Sequence, residues 1–461
     1  VHLKTSERIK IWQKVKEDPL FFYDEFLNGP PLWHKQQEIA KAVASHKKVA
    51  IRAGHVVGKT YTLGFLSTWW MASNPDSLLI TTAPSSRQVK NLLWGEIRNF
   101  YNNAKYPLGG EMSTMTWKFD EKWYAIGFAT DKPVNIGGFH GKRVMAIVDE
   151  ASGMEPNIMD AIDTVVGGAD CKLVYAGNPL EPSGRFYEAF KDSSFHKIKI
   201  SCLDHPNVKE GRDVIPGMVS KEWVEERKKK WGVGSPLYMA RVEGDFPEDA
   251  AEIIVPMSWV EAARDRELEP KKDDPVEAGL DVSEFGTDET VFTVRKGPKV
   301  IAQQFWAQTD LMKTVGKTLQ LCKLFHVEHL KVDCIGIGAG VTSRLKEIAE
   351  EKKSGLAVFG INASESSVEP EEYGTVRDEL WYNLRDRFHD KLIDLTAVSD
   401  NDDLISQISG PKQLVNSKGQ RKAESKESMK KKGVRSPDRA DSLALAFYVP
   451  PKDPEPKVSF F

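Results

Sequence analysis

At 461 residues the chain exceeds what one hydrophobic core organises, so two or three domains are expected. Hydrophobic residues make up 40% and charged residues 28%, a balance that excludes a disordered or membrane-embedded chain. A net charge of −3 excludes a uniformly basic nucleic-acid coat but permits basic patches, and no apolar run reaches membrane-spanning length, which predicts a cytoplasmic protein with no membrane partner. The four cysteines show no C-x-x-C spacing and read as reduced core residues. Cys202 with His205, and His326 with His329, each lack the second pair that zinc needs.

In chain order, residues 1–30 read as a helical segment. It is apolar at Ile9, Ile11, Trp12 and Val15, breaks at Pro19, and is expected to pack on the domain that follows. At Leu32–Ile39, Gln36 can offer its amide to an adenine edge while Trp33 walls the base, or the stretch simply opens an amphipathic helix. The sequence KVAIRAGHVVGKT then reads as strand, loop and helix start. In the pattern Ala53-x-x-x-x-Gly58-Lys59-Thr60, backbone N–H groups wrap a phosphate, Lys59 reaches its outer oxygens and Thr60 holds Mg²⁺. Alanine stands at the first position, where glycine is usual, and Gly54 follows it.

Helices at 61–72 and 85–100 alternate with a strand at 77–83, which implies a largely parallel sheet. The apolar strand RVMAIVDE delivers Asp149, to steady Mg²⁺, and Glu150, to orient or deprotonate the attacking water. Another strand, 172–176, leads to Asn178, a candidate sensor of the γ-phosphate or a plain turn residue. Arg52, Arg87 and Arg143 compete for the arginine role, and Arg143, beside Gly137, Gly138 and Gly141, is preferred as one acting on a neighbouring subunit.

Composition changes across 246–270, read as a linker, with 31–245 as the ATPase domain. Beyond it, strands at 278–282, 289–295 and 299–306 suggest an antiparallel meander. A helix 310–325, strand 330–334, helix 342–352, strand 357–361 and helix 375–389 complete the order of a ribonuclease H-like domain over 271–450, before a tail at 451–461. Gly336-x-Gly338-x-Gly340 lacks the next glycine of a dinucleotide fingerprint and reads as a turn. Asp281 lies in the first strand, Asp333 ends the fourth, and Asp438 and Asp441 share one face of the last helix. Acids converging from these elements need divalent cations to offset their repulsion, which predicts a two-metal site for attack on a phosphodiester. Lys412, Lys418, Arg421, Lys422, Lys426, Lys430, Lys431, Lys432 and Arg435 form a basic stretch that suits a phosphate backbone and is expected to cover the site until DNA arrives.

Together, Trp33 to Ile39, the RAGHVVGKT loop, VMAIVDEASG, YAGNP, Asp281, Asp333 and SPDRADSLALAF resemble a large terminase subunit of a tailed bacteriophage. The resemblance spans nearly the whole chain and implies an α/β protein: an N-terminal P-loop ATPase with a mainly parallel sheet, then a ribonuclease H-like nuclease. It implies an ATP-driven motor moving double-stranded viral DNA into a procapsid in the host cytoplasm, and an endonuclease that cuts concatemers. ATP, Mg²⁺ at the ATPase, and two Mg²⁺ or Mn²⁺ at the nuclease are the implied cofactors. The implied partners are viral DNA, the portal protein and a small terminase subunit, with a monomer in solution forming a ring on the portal. A helicase-like translocase or a non-enzymatic DNA-binding scaffold are the alternatives.

Overall fold

The computed structural model describes residues 5–130, 132–247, 252–283, 289–307, 310–399, 401–416, 418–431 and 436–450, with side chains from residue 9 onward. The expectations for Lys432, Arg435 and the 451–461 tail lie outside the described residues. The chain divides into two compact units between residues 251 and 252. Residues 252–270, expected as a linker, therefore count with the second unit: Ile254, Val255, Val260 and Ala263 are buried there.

The first unit holds eight strands: β1 (Lys48–Ala53), β2 (Ser77–Thr82), β3 (Glu111–Met112), β4 (Thr116–Lys118), β5 (Tyr124–Phe128), β6 (Arg143–Val148), β7 (Lys172–Gly177) and β8 (His196–Ile200). They run in the order β3-β4-β5-β2-β6-β7-β1-β8. The six from β5 to β8 are parallel, and β3 and β4 add an antiparallel edge. β5 and β8 are short strands of alternating burial and were not expected from the sequence. The central strands are sealed on both faces, as parallel strands covered by helices must be. The strand feeding the phosphate loop is separated by one strand, β7, from the strand ending in acids. Both carboxyl ends therefore open on the same edge.

The N-terminal helix Thr5–Glu17 departs from expectation: Val15 is buried, but Ile9, Ile11 and Trp12 are 53%, 36% and 43% exposed. Only the inner edge is fastened, where Trp69 Nε1 donates to the Val15 carbonyl at 2.7 Å. The helix expected over 85–100 is interrupted, with a π-helical turn at Gln88–Leu93 before a regular helix Trp94–Asn103.

The second unit holds β9 (Val276–Asp281), β10 (Thr290–Lys296), β11 (Lys299–Trp306), β12 (His329–Asp333) and β13 (Ala357–Ile361) in the order β11-β10-β9-β12-β13, plus a ribbon of β14 (Gln413–Val415) and β15 (Arg421–Ala423). β10 is antiparallel to both neighbours and the rest of the sheet is parallel, the ribonuclease H-like arrangement. The glycine loop at 336–340 is already helical from Gly338, so it continues into the helix Gly338–Glu351. The last helix, Asp438–Phe447, crosses β9 at close range. Any Cβ at Gly279 would strike the Ser442 carbonyl and the Ala446 nitrogen, while Ser442 Oγ donates to the Gly279 carbonyl at 3.0 Å.

Candidate active sites

In the first unit, Ala53 is the last residue of β1 and is wholly buried, still paired with β8. The close approach falls one residue later: a Cβ on Gly54 would lie 2.6 Å from Cys202 Sγ and 2.9 Å from the Arg241 carbonyl. The glycine requirement has thus moved to position 54, which explains the alanine at 53. Gly58 adopts φ 83° and caps the helix Lys59–Ser73. Val56, β-branched, is held at φ 55°, a strained conformation within the loop.

Lys59 Nζ lies 2.5 Å from Glu150 Oε1 and 3.1 Å from Asp149 Oδ1. Burial pulls the Lys59 ammonium down, but the two carboxylates outweigh it and hold it above its usual range. Thr60 Oγ1 donates to Asp149 Oδ2 at 3.3 Å, which sets the hydroxyl and carboxylate together as a Mg²⁺ shell requires. Glu150 sits at φ 49° with its side chain partly exposed, so a strained backbone aims it out of the sheet edge. Asn178, at the end of β7, donates Nδ2 to the Ala53 carbonyl at 2.6 Å.

Gln36 and Trp33 are both buried against the loop. Gln36 Nε2 donates to the Gly58 carbonyl at 3.3 Å, its Oε1 accepts from Trp33 N, and Trp33 Nε1 donates to the Val57 carbonyl. These contacts brace the phosphate loop.

The arginines separate clearly. Arg143 starts β6 and donates to the Pro75 carbonyl, so a strand of about 17–20 Å divides it from Glu150, and its own subunit does not bring it to the site. The expectation from the sequence, that it acts on a neighbouring subunit, is not contradicted by its distance from its own Glu150. Arg52 pairs with Asp245 at 2.8 Å and stacks over Phe190 and Phe246. Arg87 follows the carboxyl end of β2, the neighbour of β6, and is exposed.

In the second unit, β9 and β12 are adjacent and parallel, so Asp281 and Asp333 end side by side. The final helix adds Asp438 and Asp441 in its first turn. Lys426, known from the sequence only as one of many basic residues, stands among them: Nζ is 2.8 Å from Asp441 Oδ2, 3.3 Å from Asp281 Oδ2 and 3.4 Å from Asp438 Oδ1. Asp441 Oδ1 accepts from Trp381 Nε1 at 2.8 Å, Asp438 Oδ2 from the Glu289 N–H at 3.0 Å, and Asp333 Oδ1 from the Ile335 N–H at 3.1 Å. Burial pushes Asp281, Asp333 and Asp438 above the usual carboxylate range. Burial acts the same way on Asp441, but Lys426, Arg377 and the Trp381 N–H outweigh it and hold that carboxyl below. Lys426 is penalised by burial yet held well above its ordinary value by Asp281, Asp441 and Asp438.

Among the described residues, no three side chains are already spaced as a metal cage. The donor set nonetheless fits hard divalent cations, being all carboxylate oxygens. Asp441 Oδ2 is buried and faces the Lys426 ammonium at 2.8 Å, a positive charge where a metal cation would also be held. Trp381 and Lys426 were not singled out from the sequence. Lys426 had a signal in its place just upstream of the last acids, but eight other cations in the same stretch concealed it.

No family model matches the chain. Over 466 aligned residues, 93% of this chain and 90% of the relative, it is 22% identical to a probable terminase large subunit of Enterobacteria phage P7. A mutant nuclease domain of the large terminase subunit of bacterial virus Sf6, solved with manganese, is 20% identical over 43% of this chain and 99% of its own, with a TM-score of 0.39. The large terminase of a thermophilic bacteriophage in complex with ADP is 13% identical over 90% of this chain and 98% of its own, with a TM-score of 0.40. The resemblance to large terminase subunits carried by the motifs is borne out across nearly the whole chain. The fold itself rests on the sheet topologies above. Among the described residues, no helix is long and apolar enough to cross a membrane.

Proposed function

Taking this resemblance as the premise, we propose that the chain is an ATP-driven motor that moves double-stranded viral DNA into a procapsid and cuts concatemeric DNA with a two-metal endonuclease. The observation that carries the reading is the pairing, in one chain, of a phosphate loop facing Asp149 and Glu150 with a separate unit in which Asp281, Asp438 and Asp441 surround Lys426.

At the first site, Lys59 and the loop N–H groups bind the phosphates, Thr60 and Asp149 hold Mg²⁺, and Glu150 takes a proton from the attacking water or orients it. Asn178, whose Nδ2 donates to the Ala53 carbonyl, is the γ-phosphate sensor in this reading. Of the three arginines, Arg87 has the edge position suited to the γ-phosphate. At the second site, Asp281, Asp333, Asp438 and Asp441 would hold two Mg²⁺ or Mn²⁺. Such cations supply charge neutralisation and an activated water for in-line displacement. Lys426 neutralises the same oxygens, so its withdrawal with the 424–431 stretch accompanies metal entry. In this reading the enzyme holds the phosphate backbone and cutting is sequence-tolerant. Viral DNA, a portal protein, a small terminase subunit and a ring of further copies are the partners this role requires, in the host cytoplasm.

The test uses the full chain with supercoiled plasmid and Mn²⁺ or Mg²⁺, beside Asp281→Ala and Glu150→Ala. Metal-dependent nicking lost in Asp281→Ala, and ATP turnover lost in Glu150→Ala with binding kept, are the expected results. Strand separation on a forked duplex would instead support the helicase-like alternative. Absence of both activities would leave the scaffold.

A further inference from the structure

Arg377 opens the helix Val376–His389, whose start is pinned by the capping box of Thr375 and Asp378 and by the Arg377 N–H donating to the Ala363 carbonyl at 3.0 Å. Its guanidinium is fixed in place. Nη1 donates to the Glu424 carbonyl at 2.9 Å, and the group lies 5.9 Å from the ring centroid of Trp381, the residue that holds Asp441. The other edge, Nε and Nη2, is buried without an acceptor among the described residues. Its charge reaches Asp333 and Asp441, yet neither carboxylate takes a hydrogen bond from it.

A buried guanidinium edge with two unmet donors is costly unless something from outside satisfies it. Two parallel N–H groups in a fork match two oxygens of one phosphate, which a lysine in the same place would not. The acceptor it does hold, the Glu424 carbonyl, lies two residues before Lys426, in the stretch that sets an ammonium among the acids. That stretch places a positive charge where cations would sit and a carbonyl on the arginine beside them.

We propose that Arg377 is a catalytic residue of the nuclease: once residues 424–431 move aside, its fork grips the non-bridging oxygens of the phosphodiester being cut. This rests on the nuclease reading above. It is tested on the full chain with supercoiled plasmid across a Mn²⁺ titration, using Arg377→Ala, Arg377→Lys and Asp281→Ala. Expected is a drop of roughly tenfold to a hundredfold in cutting by Arg377→Ala at saturating Mn²⁺. The half-saturating Mn²⁺ should not change, Arg377→Lys should recover only part, and added guanidinium should restore Arg377→Ala. Cutting by Arg377→Ala at the normal rate would overturn the inference. So would a higher Mn²⁺ requirement with full activity at saturation, since the arginine would then act only by arranging the carboxylates. If Arg377→Ala does not fold, Arg377→Lys decides: a rate equal to the parent excludes a fork contact. Cutting retained by Asp281→Ala would bring down the nuclease reading itself, and this inference with it.

Discussion

The two units each place a lysine ammonium among carboxylates, but they tether it differently. Lys59 sits at the first position of a fifteen-residue helix, behind a loop fastened by Asn178, Gln36 and Trp33. Lys426 begins a helix of six residues, in a stretch held by a two-stranded ribbon, the buried Met429, the Glu424 N–H bond to the Lys412 carbonyl and the Arg377 bond to Glu424. The same ion-pair chemistry therefore stands on a fifteen-residue helix in one unit and on a six-residue one in the other. A lysine that must stay to meet each phosphate is built into the scaffold. On the proposed function, the lysine that gives way to metal is carried on the shorter element.

The comparison is broken most forcefully at the acids. Glu150→Ala is expected to lower ATP turnover roughly 10²- to 10⁴-fold while nucleotide binding and plasmid cutting persist. Asp281→Ala should lower Mn²⁺-dependent cutting roughly 10²- to 10³-fold and leave ATP turnover unchanged. Loss of both activities in either variant would mean the two sites do not work separately.

Next come the lysines. Lys59→Met leaves Asp149 buried without its partner and should cost about 3–5 kcal/mol, read from urea midpoints. Lys426→Met exposes a similar debt, but Mn²⁺ should recover most of it and recover little of the Lys59→Met loss. An equal Mn²⁺ response would end the distinction between fixed and removable cations.

A smaller effect is expected at Gly54→Ala, where the new methyl meets the Cys202 sulfur and two backbone carbonyls, at a cost of about 1–3 kcal/mol in thermal unfolding. A neutral result would show that the loop can yield, contrary to its role as the rigid partner in the comparison.

The smallest is a pH effect at Lys331, in the middle of β12. Burial brings Lys331 down to about 8, against roughly 10.4 unfolded. Within that window the unfolded chain holds the proton more tightly, so this group adds stability as pH rises, at most about 1.4 kcal/mol per unit, and nothing further above it. Comparing urea midpoints of the parent and Lys331→Met from pH 7 to 10 isolates the slope, and parallel curves would rule it out. The residue matters because Lys331 and Arg295 both donate to the Ala446 carbonyl, fastening the far end of the helix that carries Asp438 and Asp441.

What could be read without coordinates was whatever local rules write into neighbouring residues. The phosphate loop, the strand closed by Asp149 and Glu150, the meander and the last acidic helix each follow from apolar period and fixed spacing. The sequence by itself thus determined the two folds, their order and the acids that converge. It also offered Gln36 for an adenine edge and Arg143 for the site of a neighbouring subunit. The tertiary structure decided which residues meet: Gln36 against the phosphate loop, Arg143 at the opposite edge from Glu150, Gly54 in place of residue 53, Lys426 among the acids, and Arg377 with two buried donors unmet. These depend on elements far apart in sequence being pressed to within a few ångströms, and a contact of that kind leaves no period or motif in either segment.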